Sequence, residues 1–144
     1  MTDKLQLAKQ NVEAFGKGDW ASFKAPLSAD AVYEELATQR RTQGPDAIVE
    51  LSKGCRQAFP DARGTITKAV ESGDTVVLEI IWEGTHNGEL KSPMGSIPPT
   101  YKRVKIPAVQ VVTIKGDKIV ETKHYFDLMT MLAQIGALPT PATA

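Results

Sequence analysis

Two glycine turns in the second half of the chain constrain its fold more than any other feature. Ser72-Gly73-Asp74 and Lys115-Gly116-Asp117 each separate two long β-rich runs. Turns of this kind close neighbouring runs into antiparallel hairpins. The runs are Thr65 to Glu71 with Thr75 to Glu83, and Arg103 to Ile114 with Lys118 to Phe126. Within the second run, Val76, Leu78, Ile80 and Trp82 share one face, while Val77, Glu79, Ile81 and Glu83 share the other. One face is wholly apolar and the other is mixed. Such a sheet packs helices on one side and meets solvent or a partner on the other.

The first half reads as helical. Leu5, Ala8, Val12 and Phe15 recur at helical spacing, and Gly16-Lys17-Gly18 supplies a stop. Asp19 can cap a short second helix that carries Trp20 and Phe23 and ends near Pro26. Ala31 to Leu36 reads as a short strand. Gly44-Pro45-Asp46 opens a third helix with Ile48, Leu51, Cys55 and Phe59 on one face, closed by Pro60. Gly84 to Tyr101 is a long loop, a length that usually marks a functional segment or a lid. Leu128, Leu132 and Ile135 form the apolar face of a last short helix that stops at Gly136. The order α-α-β-α-β-β-β-β-α predicts an α+β domain, with a bent antiparallel sheet wrapped over helices. The 144 residues suit one domain, expected over residues 1–137. A mobile Pro-rich tail is expected over 138–144.

Charge and cysteine usage narrow the function classes. Lys plus Arg equals Asp plus Glu, and no basic run interleaves with aromatics, so no nucleic-acid partner is expected. Cys55 is the only cysteine, which rules out an intrachain disulfide, and no Cys/His spacing suits a metal. Met1-Thr2-Asp3-Lys4-Leu5 lacks a secretory h-region, so no secretory leader is expected. No apolar run approaches the roughly 20 residues of a membrane span, so the expected setting is the cytoplasm, away from membranes. The glycine-rich nucleotide loops, the serine-hydrolase elbow and the zinc-protease motif are all absent.

What remains are scattered carboxylates, two histidines and aromatics. Asp127 stands between the last strand and the last helix. It can cap that helix through backbone N–H groups, or project into a cavity and move protons. A capping carboxylate is held ionised and is a poor base, whereas one facing an apolar cavity has a raised pKa. His86, in Gly84-Thr85-His86-Asn87-Gly88, is either a loop histidine or a polar wall at a cavity mouth. His124 shares a strand face with Thr122 and Phe126, and Tyr125 shares the other with Lys123 and Asp127. Alternation alone does not say which face is concave. Asp61 follows Pro60 as a turn aspartate would. Tyr33, Phe59, Trp82 and Phe126 suit either a core or a pocket lining. Of the adjacent Glu34 and Glu35, at most one points inward. Arg40-Arg41 reads as a hairpin edge.

Taken in order, these segments resemble the SnoaL-like polyketide cyclase family, within the nuclear-transport-factor-2 and ketosteroid-isomerase fold group. The matching pieces are Ala58-Phe59-Pro60-Asp61, Trp82-Glu83-Gly84-Thr85-His86-Asn87-Gly88 and Ile97-Pro98-Pro99-Thr100. Lys118-Ile119-Val120-Glu121, Tyr125-Phe126-Asp127 and Leu132-Ala133-Gln134-Ile135-Gly136 complete them.

The resemblance implies a cone: a strongly curved antiparallel sheet on three N-terminal helices, enclosing an apolar pocket. It also implies a homodimer formed through the sheet's outer face and a small hydrophobic ligand or substrate. The implied reaction is cofactor-free acid–base catalysis on a polyketide-like carbonyl compound, closing a ring by intramolecular aldol condensation. Asp127 and His86 would be catalytic. Asp61, Tyr125, Trp82, Tyr33, Phe59, His124 and Gln110 would contact substrate. A non-catalytic ligand binder, or an isomerase or hydrolase using the same pocket, are the alternatives. The chain departs from the well-studied cyclases in one respect. They carry a histidine on the strand before the one that ends at the catalytic aspartate, where Arg103 to Ile114 has none and offers Gln110 and Thr113.

Overall fold

The computed structural model describes residues 3–92 and 95–138. The tail expected to be mobile lies, from residue 139 onward, outside the described residues, as does Pro93.

Helix α1 (Lys4–Lys17) starts where the Asp3 side chain accepts a bond from the Gln6 N–H, and stops at Gly18, which adopts φ 66°. Asp19 caps α2 (Trp20–Lys24) through the Ser22 N–H. Strands β1 (Leu27–Glu35) and β2 (Arg40–Gln43) follow, and then α3 (Pro45–Ala58). Pro45 suits the first turn of α3, where a missing N–H costs nothing. The two glycine turns close β3 (Arg63–Ser72) on β4 (Thr75–Thr85), and β7 (Arg103–Lys115) on β8 (Lys118–Phe126). Helix α4 (Leu128–Gln134) ends the described fold.

The six main strands form one curved sheet in the order β2-β1-β8-β7-β4-β3. The expected α+β class holds, with one correction to the strand pairing. The sheet is not wholly antiparallel, because β1 runs parallel to β8. A strand before α3 and a helix after β8 follow the expected order, to which β2 is an addition, so the three helices implied by the resemblance do not stand as one N-terminal block. The expected long loop also contains a small hairpin, β5 (Leu90–Ser92) with β6 (Gly95–Ile97).

Alternation divides β4 and β7 into a buried and an outer face. On β4, Val76, Leu78 and Ile80 are buried, and on β7 Val104, Ile106, Ala108, Val112 and Ile114 face the same way. Their main cluster packs against Ala8 and Val12 of α1 and Ile48 of α3. Each large aliphatic side chain so buried contributes about 1.5–3 kcal/mol. A second cluster joins Leu132 and Ile135, at the end of the chain, to Val104 and Ile106 on β7. There Gln134 pairs with the Lys105 backbone like one more strand residue, accepting from its N–H at 2.7 Å and donating to its carbonyl at 2.9 Å.

Candidate active site

Between the concave sheet face and the helices lies a cavity of about 380 Å³. That is within the range of small-molecule sites. Its walls are largely apolar and include Val12, Phe15 and Phe23 from α1 and α2, Leu51 and Cys55 from α3, and Ile106 and Phe126 from the sheet. Glu89, Leu90, Lys91 and Ser92, at and before β5, contribute to the wall, so part of the long loop belongs to the cavity.

A cluster of buried polar groups stands within this lining. His124 on β8, only 8% exposed, sits between Tyr33 on β1 and Trp82 on β4. The Trp82 indole N–H lies 3.1 Å from His124 Nε2, and the Tyr33 hydroxyl lies 2.6 Å from Nδ1. Burial pushes the His124 pKa down to about 4, so the ring is neutral near pH 7. Burial also raises the Tyr33 pKa well above its ordinary value, and the Glu35 charge adds to this, so the phenol keeps its proton. Glu35 stands two residues after Tyr33 on β1, on the same strand face, and is 7% exposed. It is the only buried carboxylate among the described residues. The Thr38 hydroxyl donates to its Oε1 at 2.7 Å, and Arg40 Nη2 lies 3.8 Å away. Gln110 and Thr122, both buried, add polar groups to the sheet wall, with Gln110 opposite His124 in the β7–β8 register.

Cys55 also lines the cavity, but burial and the Glu35 charge push its thiol up to about 11. It is therefore a neutral wall group near pH 7 and not a nucleophilic thiolate. No group of three His, Cys, Asp or Glu side chains among the described residues could hold a metal ion. Among the described residues, no helix is long and apolar enough to cross a membrane.

The other expected site residues divide sharply. Tyr33, Phe59, Trp82, Gln110 and His124 line the cavity, which makes the Thr122–His124–Phe126 face of β8 the concave one. Tyr125 is on the opposite face and 42% exposed, so it does not contact the cavity. Asp127 is exposed and outside the lining. Its carboxylate caps α4, accepting from the Met129 N–H at 3.0 Å, the Thr130 N–H at 3.4 Å and the Thr130 hydroxyl at 2.8 Å. The Thr130 bonds, and to a lesser extent the Met129 bond, lower its pKa, the opposite of what a base near neutral pH needs.

His86 and Asp61 hold the loop and the strand ends in place. His86 is fully buried, and its ring packs on Phe59, with centroids 5.4 Å apart. The Thr100 backbone N–H donates to Nδ1 at 3.2 Å, so the proton of the neutral ring is on Nε2. Nε2 has no partner in good hydrogen-bond geometry among the described residues. Burial lowers the His86 pKa, partly offset by the Gly88 backbone. His86 also joins the two ends of the long loop, since its own N–H donates to the Lys102 carbonyl and its carbonyl accepts from Tyr101. Asp61 accepts from the Thr85 N–H at 2.7 Å and from its hydroxyl at 2.9 Å, which ties the end of β4 to the turn after α3. Neither residue lines the cavity.

Glu35 is the functional candidate that reading the sequence did not single out. Its signal was available: if Tyr33 faces inward on a strand, so does the residue two positions on.

The profile of the SnoaL-like polyketide cyclase family matches residues 5–135, nearly the whole fold. The chain belongs to the SnoaL-like polyketide cyclase family. Solved structures agree with this membership. IdmH from Streptomyces antibioticus, a polyketide cyclase candidate, is 25% identical with TM-score 0.80, over 94% of this chain and 99% of that one. AclR from Streptomyces galilaeus, a hydroxylase candidate, is 26% identical with TM-score 0.79, over 95% and 87%. A protein of ketosteroid isomerase-like fold from Catenulispora acidiphila, solved with trimethylamine, has TM-score 0.79 at 22% identity, over 96% and 98%. At that identity the likeness concerns the fold alone. No curated protein matches the sequence.

Proposed function

We propose that this SnoaL-like protein is a cofactor-free acid–base enzyme acting on a hydrophobic, polyketide-like carbonyl compound, with Glu35 as base and Tyr33 as hydrogen-bond donor. The observation that carries this reading is one buried carboxylate on the same strand face as a phenol backed by a neutral histidine, in a largely apolar cavity.

The chemistry asks little of the protein. A C–H between two carbonyls is already acidic, so one carboxylate suffices to remove its proton. The enolate oxygen that forms accepts a hydrogen bond from Tyr33, which works most strongly where water is excluded. The carbanion carbon then attacks a second carbonyl of the same molecule and forms the ring C–C bond. The resulting alkoxide takes the proton back from Glu35. The larger contribution is conformational, because rigid apolar walls restrict a flexible chain to a reactive shape. Gln110 stands on the strand where the well-studied cyclases have a histidine, in keeping with proton transfer run from another strand. Asp127, as a cap, serves the fold of α4.

A homodimer through the outer sheet face belongs to the same proposal. Tyr125 and Val109, in register across β8 and β7, together with Val111 and Val77, give that face an apolar centre. A second reading, a ligand binder without turnover, draws on the capping geometry of Asp127, since the aspartate that the family uses for proton transfer is engaged elsewhere.

A hydrophobic β-diketone such as benzoylacetone tests the proposal. Hydrogen–deuterium exchange at its central carbon should be accelerated by the protein and depend on Glu35. Saturable binding without acceleration would instead support the binder.

A further inference from the structure

We propose that Trp82 is a positioning residue that fixes the proton order through His124, so that Tyr33, and not the histidine, is the donor presented to the cavity. The catalytic consequence rests on the role of Tyr33 proposed above, whereas the proton order follows from the hydrogen-bond geometry alone.

An indole N–H can only donate. With Trp82 Nε1 at 3.1 Å from His124 Nε2, that nitrogen must be the acceptor and its lone pair is occupied. In the neutral ring the proton is therefore on Nδ1, which faces the Tyr33 oxygen at 2.6 Å. Nδ1–H donates to the phenol oxygen, and the phenol proton is left to point elsewhere, toward Glu35 or a ligand oxygen. Aromatic rings surround the histidine on its remaining sides: those of Tyr33, Trp82 and Phe126 all have centroids within 6.0 Å of its own. His124 thus has no free lone pair with which to take a proton from a substrate. It strengthens Tyr33 as a donor, because a hydrogen bond received at the phenol oxygen polarises the O–H bond.

Without the indole N–H, Nε2 would be free to carry the proton, Nδ1 would become an acceptor, and Tyr33 would turn its own proton toward the histidine. Trp82 therefore selects between a donor and an acceptor facing the substrate, from a position behind the histidine.

The two histidines give an internal control. The Thr100 backbone N–H donates to His86 Nδ1, which puts the His86 proton on Nε2. The protein should therefore hold its two histidines in opposite tautomers. Long-range ¹H–¹⁵N correlation spectra of ¹⁵N-histidine-labelled protein at pH 7.5 read this directly. The expected result is one ring protonated at Nδ1 and one at Nε2, with the first assigned to His124 by its loss in His124→Gln.

In Trp82→Phe, the His124 pattern should shift away from pure Nδ1–H, while the His86 pattern stays unchanged and reports that the fold is intact. Trp82 packs closely on Phe15 and above Gly64, so the smaller ring could disturb the core. Replacing Trp82 with benzothienylalanine, which has sulfur in place of the N–H in a ring system of nearly the same shape, repeats the test without a cavity. An Nε2–H pattern for His124 in the wild type would overturn the proposal. So would an unchanged Nδ1–H pattern in the benzothienyl protein. If the tautomers behave as expected but no variant alters β-diketone exchange, the proton order stands and the catalytic role of Tyr33 falls.

Discussion

Tyr33→Phe isolates the hydroxyl at the centre of the site. The ring body stays, so no cavity opens. What is lost is the oxygen 2.6 Å from His124 Nδ1, which leaves a buried N–H without its acceptor. An orphaned buried donor costs about 1–3 kcal/mol. For a chain of this size each kcal/mol lowers the melting temperature by roughly 2–4 °C, so a drop of about 2–12 °C is expected. The effect on turnover is of another order. Removing one donor to a developing oxyanion typically slows the chemical step by about 10²–10³-fold. Domains of this kind begin with about 5–15 kcal/mol of stability, so the variant is still almost wholly folded at 25 °C. Unfolding therefore cannot supply a hundredfold loss. Thermal melts monitored by circular dichroism give the first quantity, and benzoylacetone exchange gives the second. A folded Tyr33→Phe protein with undiminished exchange would refute the role of the phenol.

Three further outcomes are expected. The native His124 titrates near 4, whereas an unfolded histidine titrates near 6.5, so the unfolded state binds more protons between those values. Stability should be full above pH 6.5, fall by about 3 kcal/mol as pH drops to 4, and stop falling on this account below that. Urea midpoints measured across pH 4–7.5 should therefore decline less steeply in His124→Gln, with His86 and the carboxylates held below their ordinary pKa, such as Asp61 and Asp127, supplying what slope remains; an unchanged slope would contradict the burial argument. Asp127→Asn should keep a functional cap and leave ligand binding unaltered, while Asp127→Ala should fray α4, seen as faster amide exchange at Met129 and Thr130. A Cβ on Gly88 would run into the Gln57 carbonyl. Gly88→Ala should then cost about 1–3 kcal/mol and loosen the segment from Asn87 to Thr100, read as new protease cleavage there.

How much of this was legible beforehand depended on the range of the interaction. The hairpins β3–β4 and β7–β8 are local, and their glycine turns and alternating faces are written in the residues themselves. The parallel pairing of β1 with β8 joins segments about ninety positions apart, with no local signal in either. The β5–β6 hairpin is too short to show an alternating pattern. Asp127 stands where both a cap and a catalytic carboxylate would stand, and only the direction of its side chain separates them. The cavity-facing side of β8 followed once β1 and β4 were seen to bring Tyr33 and Trp82 onto His124. Glu35 was within reach of period-2 reasoning from Tyr33, but its enclosure depends on Thr38 and Arg40 across the β1–β2 turn.

The central claim is that proton transfer in this cavity belongs to Glu35 and not to Asp127. Benzoylacetone exchange by Glu35→Gln and Asp127→Asn, compared side by side with the parent protein at pH 7.5, tests it most directly. Glu35→Gln should lose at least about 10²-fold in rate, while Asp127→Asn retains the parent rate within about twofold. A full loss in Asp127→Asn with an active Glu35→Gln protein would contradict it.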